Sequence, residues 1–272
     1  MYFCDTHTHS HLSPDSNTPL EVMARQAVAL GLDELCVTDH CDLVDGEGRP
    51  VTRFDWPRAW EQVRRVRDLV GNRLTLRLGL ELGSAVYDPA VARNILAQGE
   101  EELDFVLGSL HNWLWERDNS DLYYTDFTGD PALARHCIQH CLEHTWTLVT
   151  QCPDCYDSLA HIIYPLRYLR RDGHHDLSLA EYEEQVRSIF TQVASTGHAL
   201  EVNTCRGQDL ADWPLLLTWF RECGGAYITL GSDAHRPQGL AQGLREAAAM
   251  VEAAGFRYIT TYEKRRPVPH KL

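Results

Sequence analysis

Lysine is nearly absent: the 272 residues contain Lys264 and Lys271 and no other. A Schiff-base lysine, a P-loop lysine or a carbamylated lysine bridging two metals has no place in the body of such a chain, and the mechanisms built on them drop out. Positive charge is scarce in general, with 25 Lys plus Arg against 39 Asp plus Glu and a formal net charge of −14. So acidic a surface repels a polyphosphate backbone, which argues against an extended nucleic-acid track and leaves small molecules as the expected partners. Long apolar runs are missing too. No stretch approaches the ~18 consecutive apolar residues of a membrane span, so no membrane partner is expected. The N-terminus lacks the apolar segment and cleavage site of a signal peptide. Nine cysteines, odd in number and scattered, make no disulfide framework, and the cytoplasm is the expected compartment. The one close pair, Cys152 and Cys155, has no second CxxC or His pair at zinc-finger spacing and reads as a turn with two free thiols.

What remains is an ordinary globular composition, 44% hydrophobic and 24% charged, at a length that α/β barrels reach as one domain, so residues 1–272 are read as a single domain. Short apolar runs alternate with longer amphipathic ones. Candidate strands cover 3–8, 34–38, 75–82, 104–109, 158–161, 199–203 and 227–231, with a further one at 257–261. Helical patterns lie between them, at about 57–70, 89–98, 131–149, 179–196, 212–223 and 238–253. The first helix is the clearest: Thr18 supplies an N-cap, Pro19 the first turn, Glu21 a capping-box acid, and Gly31 the stop. Unbroken strand–helix alternation predicts a parallel sheet, and seven or eight units fit a closed barrel as well as an open doubly wound sheet. No Gly-rich nucleotide fingerprint follows the first strand. Two long loops, 41–56 and 112–130, stand out as binding loops or lids; the second carries Trp113, Trp115, Tyr123 and Tyr124.

Each candidate strand ends in a polar group. In order along the chain these are His7 and His9, then Asp39 and His40, Glu81, His111, His161, Asn203 with Arg206 just beyond, and finally Asp233 and His235. In a parallel barrel all of them reach one rim, where active sites form. So many imidazoles and carboxylates gathered without compensation would be costly, and the cluster reads as a metal site. Nitrogen and oxygen ligands without thiolate suit Zn, Mn or Fe(II). About nine ligating groups exceed the needs of one ion and fit two or three with open positions. His136, His140 and His144 form a second histidine set, at i, i+4 and i+8 of a predicted helix, and read as a solvent-facing stripe.

HTH at 7–9, TDH at 38–40, Glu81 in GLELG, His111 in GSLH, His161 in AH and GSDAH at 231–235 together resemble the polymerase and histidinol phosphatase (PHP) family, over most of the chain and in the family's order. That resemblance implies a distorted seven-stranded TIM-like (β/α) barrel with a trinuclear metal centre. His7, His9, Glu81 and Asp233 would hold the first ion, Glu81, His111 and His161 the second, and Asp15, His40 and His235 the third, with Glu81 bridging. Relatives often carry His where this chain has Asp15. His11 lies outside the pattern, because the chain is expected to bend after His9, and it is given a supporting place on the rim.

The segments LSPDS, VTDHCD and AHIIYPLRY are most similar to the stand-alone histidinol-phosphatase branch. The resemblance implies Arg167 and Arg206 as phosphate-binding residues, which suits a chain that must use guanidinium in place of lysine. The expected reaction is hydrolysis of a small phosphomonoester, foremost L-histidinol phosphate of histidine biosynthesis. Glu81, Asp233 and His235 are the candidate catalytic residues. A phosphodiesterase or a phosphatase of another small substrate in the same family, and an inactive metal-binding regulatory domain, are the alternatives.

Overall fold

In the segment TLRLGLELG, residues 75–83, leucines at 76, 78, 80 and 82 alternate with Arg77, Gly79 and Glu81. A strand with this period sends its leucines to one face and Glu81 to the other. A computed structural model, which describes residues 2–171 and 173–272, shows that arrangement repeated around a nearly closed barrel.

The elements run β1 (Cys4–Thr8), α1 (Leu20–Leu30), β2 (Glu34–Val37), β3 (His40–Asp42), α2 (Trp56–Val70), β4 (Thr75–Gly83), α3 (Pro89–Gly99), β5 (Phe105–Ser109) and α4 (Pro131–Gln151). They continue with β6 (Ser158–Leu159), α5 (Tyr164–Arg171), α6 (Glu183–Ser195), β7 (Ala199–Asn203), α7 (Trp213–Glu222), β8 (Tyr227–Gly231), α8 (Leu244–Ala253), β9 (Tyr258–Glu263) and β10 (Arg266–Lys271). Seven strands pair in the order β1-β2-β4-β5-β6-β7-β8, all parallel, with the short β3 also beside β4. The ends of that path meet: Thr8 bridges Ala234, the Asp233 N–H donates to the His7 carbonyl at 2.9 Å, and the His9 N–H donates to the Ala234 carbonyl at 3.0 Å.

Two hydrophobic clusters follow from the closure. The larger fills the space between strands and helices. The smaller, Cys36, Phe105, Leu107, Ala160, Ala199 and Tyr262, plugs the barrel interior. Strand β7 shows how one alternating strand serves both halves of that interior: Ala199 joins the plug, and Glu201 and Asn203 on the same face stand higher, all fully buried.

Four helices begin with an aspartate and a proline close behind it, and in three of them the aspartate side chain caps the helix. The side chains of Asp55, Asp88 and Asp130 accept from backbone N–H groups in the first turns of α2, α3 and α4, which satisfies donors that would otherwise be orphaned. The expected cap at Thr18 is not formed. Pro19 stands at the N-cap of α1 without a side-chain bond, and the Thr18 hydroxyl instead donates to the His235 carbonyl at 3.0 Å, tying the helix start to the opposite rim loop. Gly31 ends α1 in the left-handed region at φ 75° as expected. The segment read as helix from 238 becomes α-helical only at Leu244.

The last candidate strand does not join the barrel. β9 pairs antiparallel with β10 through a two-residue turn, Lys264 and Arg265, both with positive φ. Its Tyr262 stacks on Phe105 with centroids 4.9 Å apart and donates from its hydroxyl to the Asp157 carbonyl, so the hairpin stoppers the barrel end opposite the strand C-termini. No helix among the described residues is long and apolar enough to cross a membrane.

Gly231, where β8 passes β1, has no room for a side chain: a Cβ there would collide with Glu201 Oε1 and His7 Cβ. Gly231→Ala is expected to cost about 1–3 kcal/mol and to lower the melting temperature in a thermal denaturation scan. An unchanged melting temperature would mean that the β1–β8 seam is looser than described.

Candidate metal centre

Every sequence-expected ligand reaches the rim at the strand C-termini, and each arrives for a local reason. His7 and His9 share one face at the end of β1. His40 opens β3 in register with Glu81 of β4. His111 and His161 follow β5 and β6, and Asp233 and His235 follow β8. Asp233 adopts φ 59°, a left-handed conformation uncommon outside glycine. The hydrogen bonds that close β1 onto β8 on either side of it hold this turn.

Glu81 sits at the centre, fully buried. Its Oε1 lies 2.8 Å from His161 Nε2 and 3.2 Å from His111 Nε2, whose own separation is 3.4 Å. Its Oε2 lies 3.2 Å from His7 Nε2, 3.5 Å from His9 Nε2 and 3.0 Å from His40 Nδ1. Asp233 Oδ1 completes the His7–His9 side at 3.8 and 3.5 Å. On the outer side Asp15 Oδ2 approaches His235 Nε2 at 2.8 Å and His40 Nε2 at 3.7 Å. Four groups, His7–His9–Asp233, His7–Glu81–His161, His40–Glu81–His111 and His9–His40–His235, each bring ligand atoms within 4.8 Å of one another.

The donor chemistry fits divalent cations. Facing ring nitrogens at 3.1 Å for His7 and His9 cannot both carry protons, and with the Glu81 and Asp233 oxygens beside them they form a nitrogen–oxygen set that a divalent cation fits. The Nδ1 atoms of three rings are engaged away from the centre: His7 with Glu201 Oε1 at 2.6 Å, His111 with Asp42 Oδ1 at 2.7 Å, and His9 with the Ser13 hydroxyl at 3.0 Å. Such partners fix the tautomer and leave Nε2 free as a ligand. His40 Nδ1 and His235 Nε2 are buried yet make no aligned hydrogen bond. The four groups contain no thiolate.

Electrostatics point the same way. Burial disfavours the charged form of His7, but Glu201, Glu81 and Asp233 overrule it and hold the imidazole well above its usual range. The same contest, with Asp42 and Glu81 prevailing, raises His111 to about 10. His9 goes the other way, pushed well below its range by burial and by the neighbouring His235 and His40. Despite burial, Glu81 stays well below the carboxylate range because His40, His7 and His111 surround it. Asp233, beside His7 and His9, is likewise held well below the carboxylate range despite its burial.

The rim opens into a cleft of about 980 Å³ whose walls include Asp121, Tyr164, Arg167 and Arg206. Arg167 is buried and fully tethered: Nη1 donates to Asp233 Oδ2 at 2.9 Å, Nη2 to Asn203 Oδ1 at 2.5 Å and Nε to Asp209 Oδ2 at 2.8 Å. Arg206 is exposed at the mouth, its Nη2 3.4 Å from Cys205 Sγ. His11 stays outside all four groups, as expected, after the chain turns beyond His9.

The solvent-facing reading of the second histidine set is corrected. His140 is buried and its Nε2 accepts from the Leu114 N–H at 3.1 Å, because the 112–124 loop folds over that face of α4; His136 is exposed and pairs with Glu116 at 2.7 Å. Cys152 and Cys155 are free thiols around a short 3-10 turn.

Sequence reasoning passed over Glu201, Asp42 and Ser13, and counted Asp39 only among the polar groups at the rim. Glu201 is the most consequential: Oε1 orients His7, and Oε2 accepts from the His161 N–H at 2.8 Å, so one carboxylate steadies two parts of the site. A lone acid two residues before Asn203 in the apolar run ALEVN was the available signal. Asp42, two residues after His40, carried the same one. Asp39 accepts from Ser10 and from Ser13, bracing the Ser13 that holds His9.

Comparison with known proteins bears on this geometry. The family model for the PHP domain matches residues 5–205. A histidinol-phosphatase of Lactococcus lactis is 27% identical over 95% of this chain and 93% of its own length, and a probable histidinol-phosphatase of Thermotoga maritima is 24% identical over 96% of each. The crystal structure of histidinol phosphate phosphatase from Lactococcus lactis, complexed with zinc, L-histidinol and phosphate, superimposes with a TM-score of 0.83 at 26% identity, covering 98% of this chain and 99% of that one.

Because Glu201 acts through His7 and His161, Glu201→Gln is expected to weaken zinc or manganese uptake about 10–100-fold, read by metal titration of chelator-stripped protein. Wild-type affinity in the variant would show that the carboxylate does not orient these histidines.

Proposed function

This chain belongs to the PHP domain family, and from that premise we propose that residues 1–272 form one metal-dependent phosphoric monoester hydrolase domain acting on L-histidinol phosphate. One observation carries the reading: imidazole nitrogens and carboxylate oxygens converge around Glu81 at the floor of an open cleft whose lining includes Arg167 and Arg206. The relatives named for that reaction, and the zinc, L-histidinol and phosphate bound by one of them, support the choice of substrate and of cation.

The proposed ligand sets are His7, His9, Glu81 and Asp233; Glu81, His111 and His161; and Asp15, His40 and His235, for two or three ions of Zn, Mn or Fe. Ions in these places would act as Lewis acids and make water a stronger nucleophile at neutral pH. The chain's own residues do the rest. Arg206 at the mouth is placed to meet a phosphate oxygen, and Arg167, its fork held by Asp233, Asn203 and Asp209, presents a fixed positive charge from the wall. Charge developing on the equatorial oxygens of a transferring phosphoryl group is stabilised by such preorganised donors. Asp233 and His235 stand at the same wall, placed to orient a water that gives its proton to the departing oxygen. The nine free thiols are consistent with a reducing compartment such as the cytoplasm.

The test is a comparison of L-histidinol phosphate, p-nitrophenyl phosphate and bis-p-nitrophenyl phosphate as substrates of protein loaded with manganese or zinc. Turnover of the monoesters with L-histidinol phosphate first is expected. Preference for the diester would replace the reading with a phosphodiesterase, and turnover of none by a metal-loaded sample would favour a binding domain. Glu81→Gln is expected to abolish turnover and to loosen two ions together. Unchanged metal stoichiometry by elemental analysis would refute the bridging assignment.

A further inference from the structure

Five carboxylates line the cleft, and four of them are matched by nitrogen bases: Asp15 with His235 at 2.8 Å, Asp42 with His111 at 2.7 Å, Glu81 with His161 at 2.8 Å and Asp233 with Arg167 at 2.9 Å. Asp121 is the exception. Its Oδ1 accepts from the Tyr123 N–H at 2.8 Å and from the Tyr164 hydroxyl at 3.3 Å, both neutral donors, and its Oδ2 accepts no hydrogen bond among the described residues.

The surroundings of Asp121 are aromatic. Tyr164 packs its ring against His111 and His161, at centroid distances of 4.9 and 5.1 Å, and takes a hydrogen bond from the Tyr168 hydroxyl at 2.9 Å. Tyr123 meets the Tyr168 ring edge to face, and Tyr123 and Tyr124 expose more than half their surface at the mouth. Burial lifts the Asp121 carboxyl above its usual value, with His111 opposing. A carboxylate that accepts no hydrogen bond from a basic side chain among the described residues and has phenol faces beside it suits a cation, through a charge-assisted hydrogen bond and cation–π contact. Tyr164 bridges Asp121 and the candidate ligands, its hydroxyl on the carboxylate and its ring on His111 and His161. An ester whose phosphate lies among those ligands therefore has its alcohol portion within reach of Asp121.

We propose that Asp121, framed by Tyr123, Tyr124, Tyr164 and Tyr168, takes the ammonium group of an amino-alcohol phosphate and so selects cationic esters over those without a cation. The inference rests on the monoesterase reading above and names the residue that narrows it. Asp121→Asn tests it cleanly, since the amide keeps the Oδ1 acceptor for Tyr123 and Tyr164 while removing the charge.

The measurement is the ratio of kcat/KM for L-histidinol phosphate to that for p-nitrophenyl phosphate, which is expected to fall about tenfold or more in Asp121→Asn, chiefly through the KM of the cationic ester. An unchanged ratio overturns the proposal. Calorimetric binding to the metal-loaded protein gives an answer that does not depend on turnover. L-histidinol is expected to bind wild type at least about tenfold more tightly than its analogue lacking the amine, and Asp121→Asn is expected to erase that difference. Equal binding of the two alcohols by wild type overturns the proposal even if the variant fails to fold. Failure of wild type to hydrolyse any monoester would instead count against the parent reading.

Discussion

The two oxygens of Glu81 face two different sets of imidazoles, and the upper half of the barrel is arranged around that division. Oε1 serves His111 and His161, and Oε2 serves His7, His9 and His40. These partners come from four separate strands, β1, β3, β5 and β6, so their meeting depends on the register of β4 against β3 and β5. A slip of one residue would turn Glu81 towards the helices and bring Leu80 or Leu82 inside. A buried carboxylate costs several kcal/mol unless it is paired, and here the pairing is supplied by rings that cannot all be protonated at once. The arrangement therefore suits divalent cations among these ligand atoms.

Around this centre lies a set of carboxylates that touch the histidines from behind. Glu201, Asp42 and Asp39 act respectively on His7, on His111 and, through Ser13, on His9. Arg167 joins the set from the other wall, binding Asp233 directly and Asn203 beside it. Networks of this kind rigidify a site when every member is satisfied and are costly when one is missing. The plug of Cys36, Phe105, Leu107, Ala160, Ala199 and Tyr262 beneath it keeps the low-dielectric floor on which these interactions keep their strength.

Residue type combined with strand period made most of this legible in the chain. His7, His9, Glu81, His111, His161 and Asp233 could be placed at one rim because each ends an apolar run, and the barrel followed from the alternation of those runs with helices. What escaped notice depends on distant contacts. The Thr18 hydroxyl would cap α1 locally, but the His235 carbonyl competes for it from across the rim. Residues 257–261 have strand character, yet nothing local says that β9 will pair with β10 rather than β8. His140 looked solvent-facing because helix periodicity does not reveal that a loop residue 26 positions earlier, Leu114, will cover that face. Glu201 was readable and was passed over, its neighbours in ALEVN being apolar.

That covering loop links the outside of the barrel to the cleft. Trp115, Arg117, Asp118 and Asn119 all have φ between 45° and 60°, and for residues other than glycine each such conformation costs about 1 kcal/mol. The segment does not prefer this shape; contacts impose it. Leu114 is held by His140 of α4, the Asn112 amide donates to the Asp45 and Asn119 carbonyls, and Gly48 at φ 85° comes so close to the Asp118 carbonyl that a Cβ would not fit. The next turn of the same loop carries Asp121, Tyr123 and Tyr124 into the cleft wall. The position of that wall is thus fixed by α4 on one side and by the loop after β3 on the other. The metal ligands are set instead by strand register. The two constraints meet at His111, whose carbonyl accepts from the Leu122 N–H at 2.9 Å, so the turn that carries Asp121 is tied directly to one of the candidate ligands.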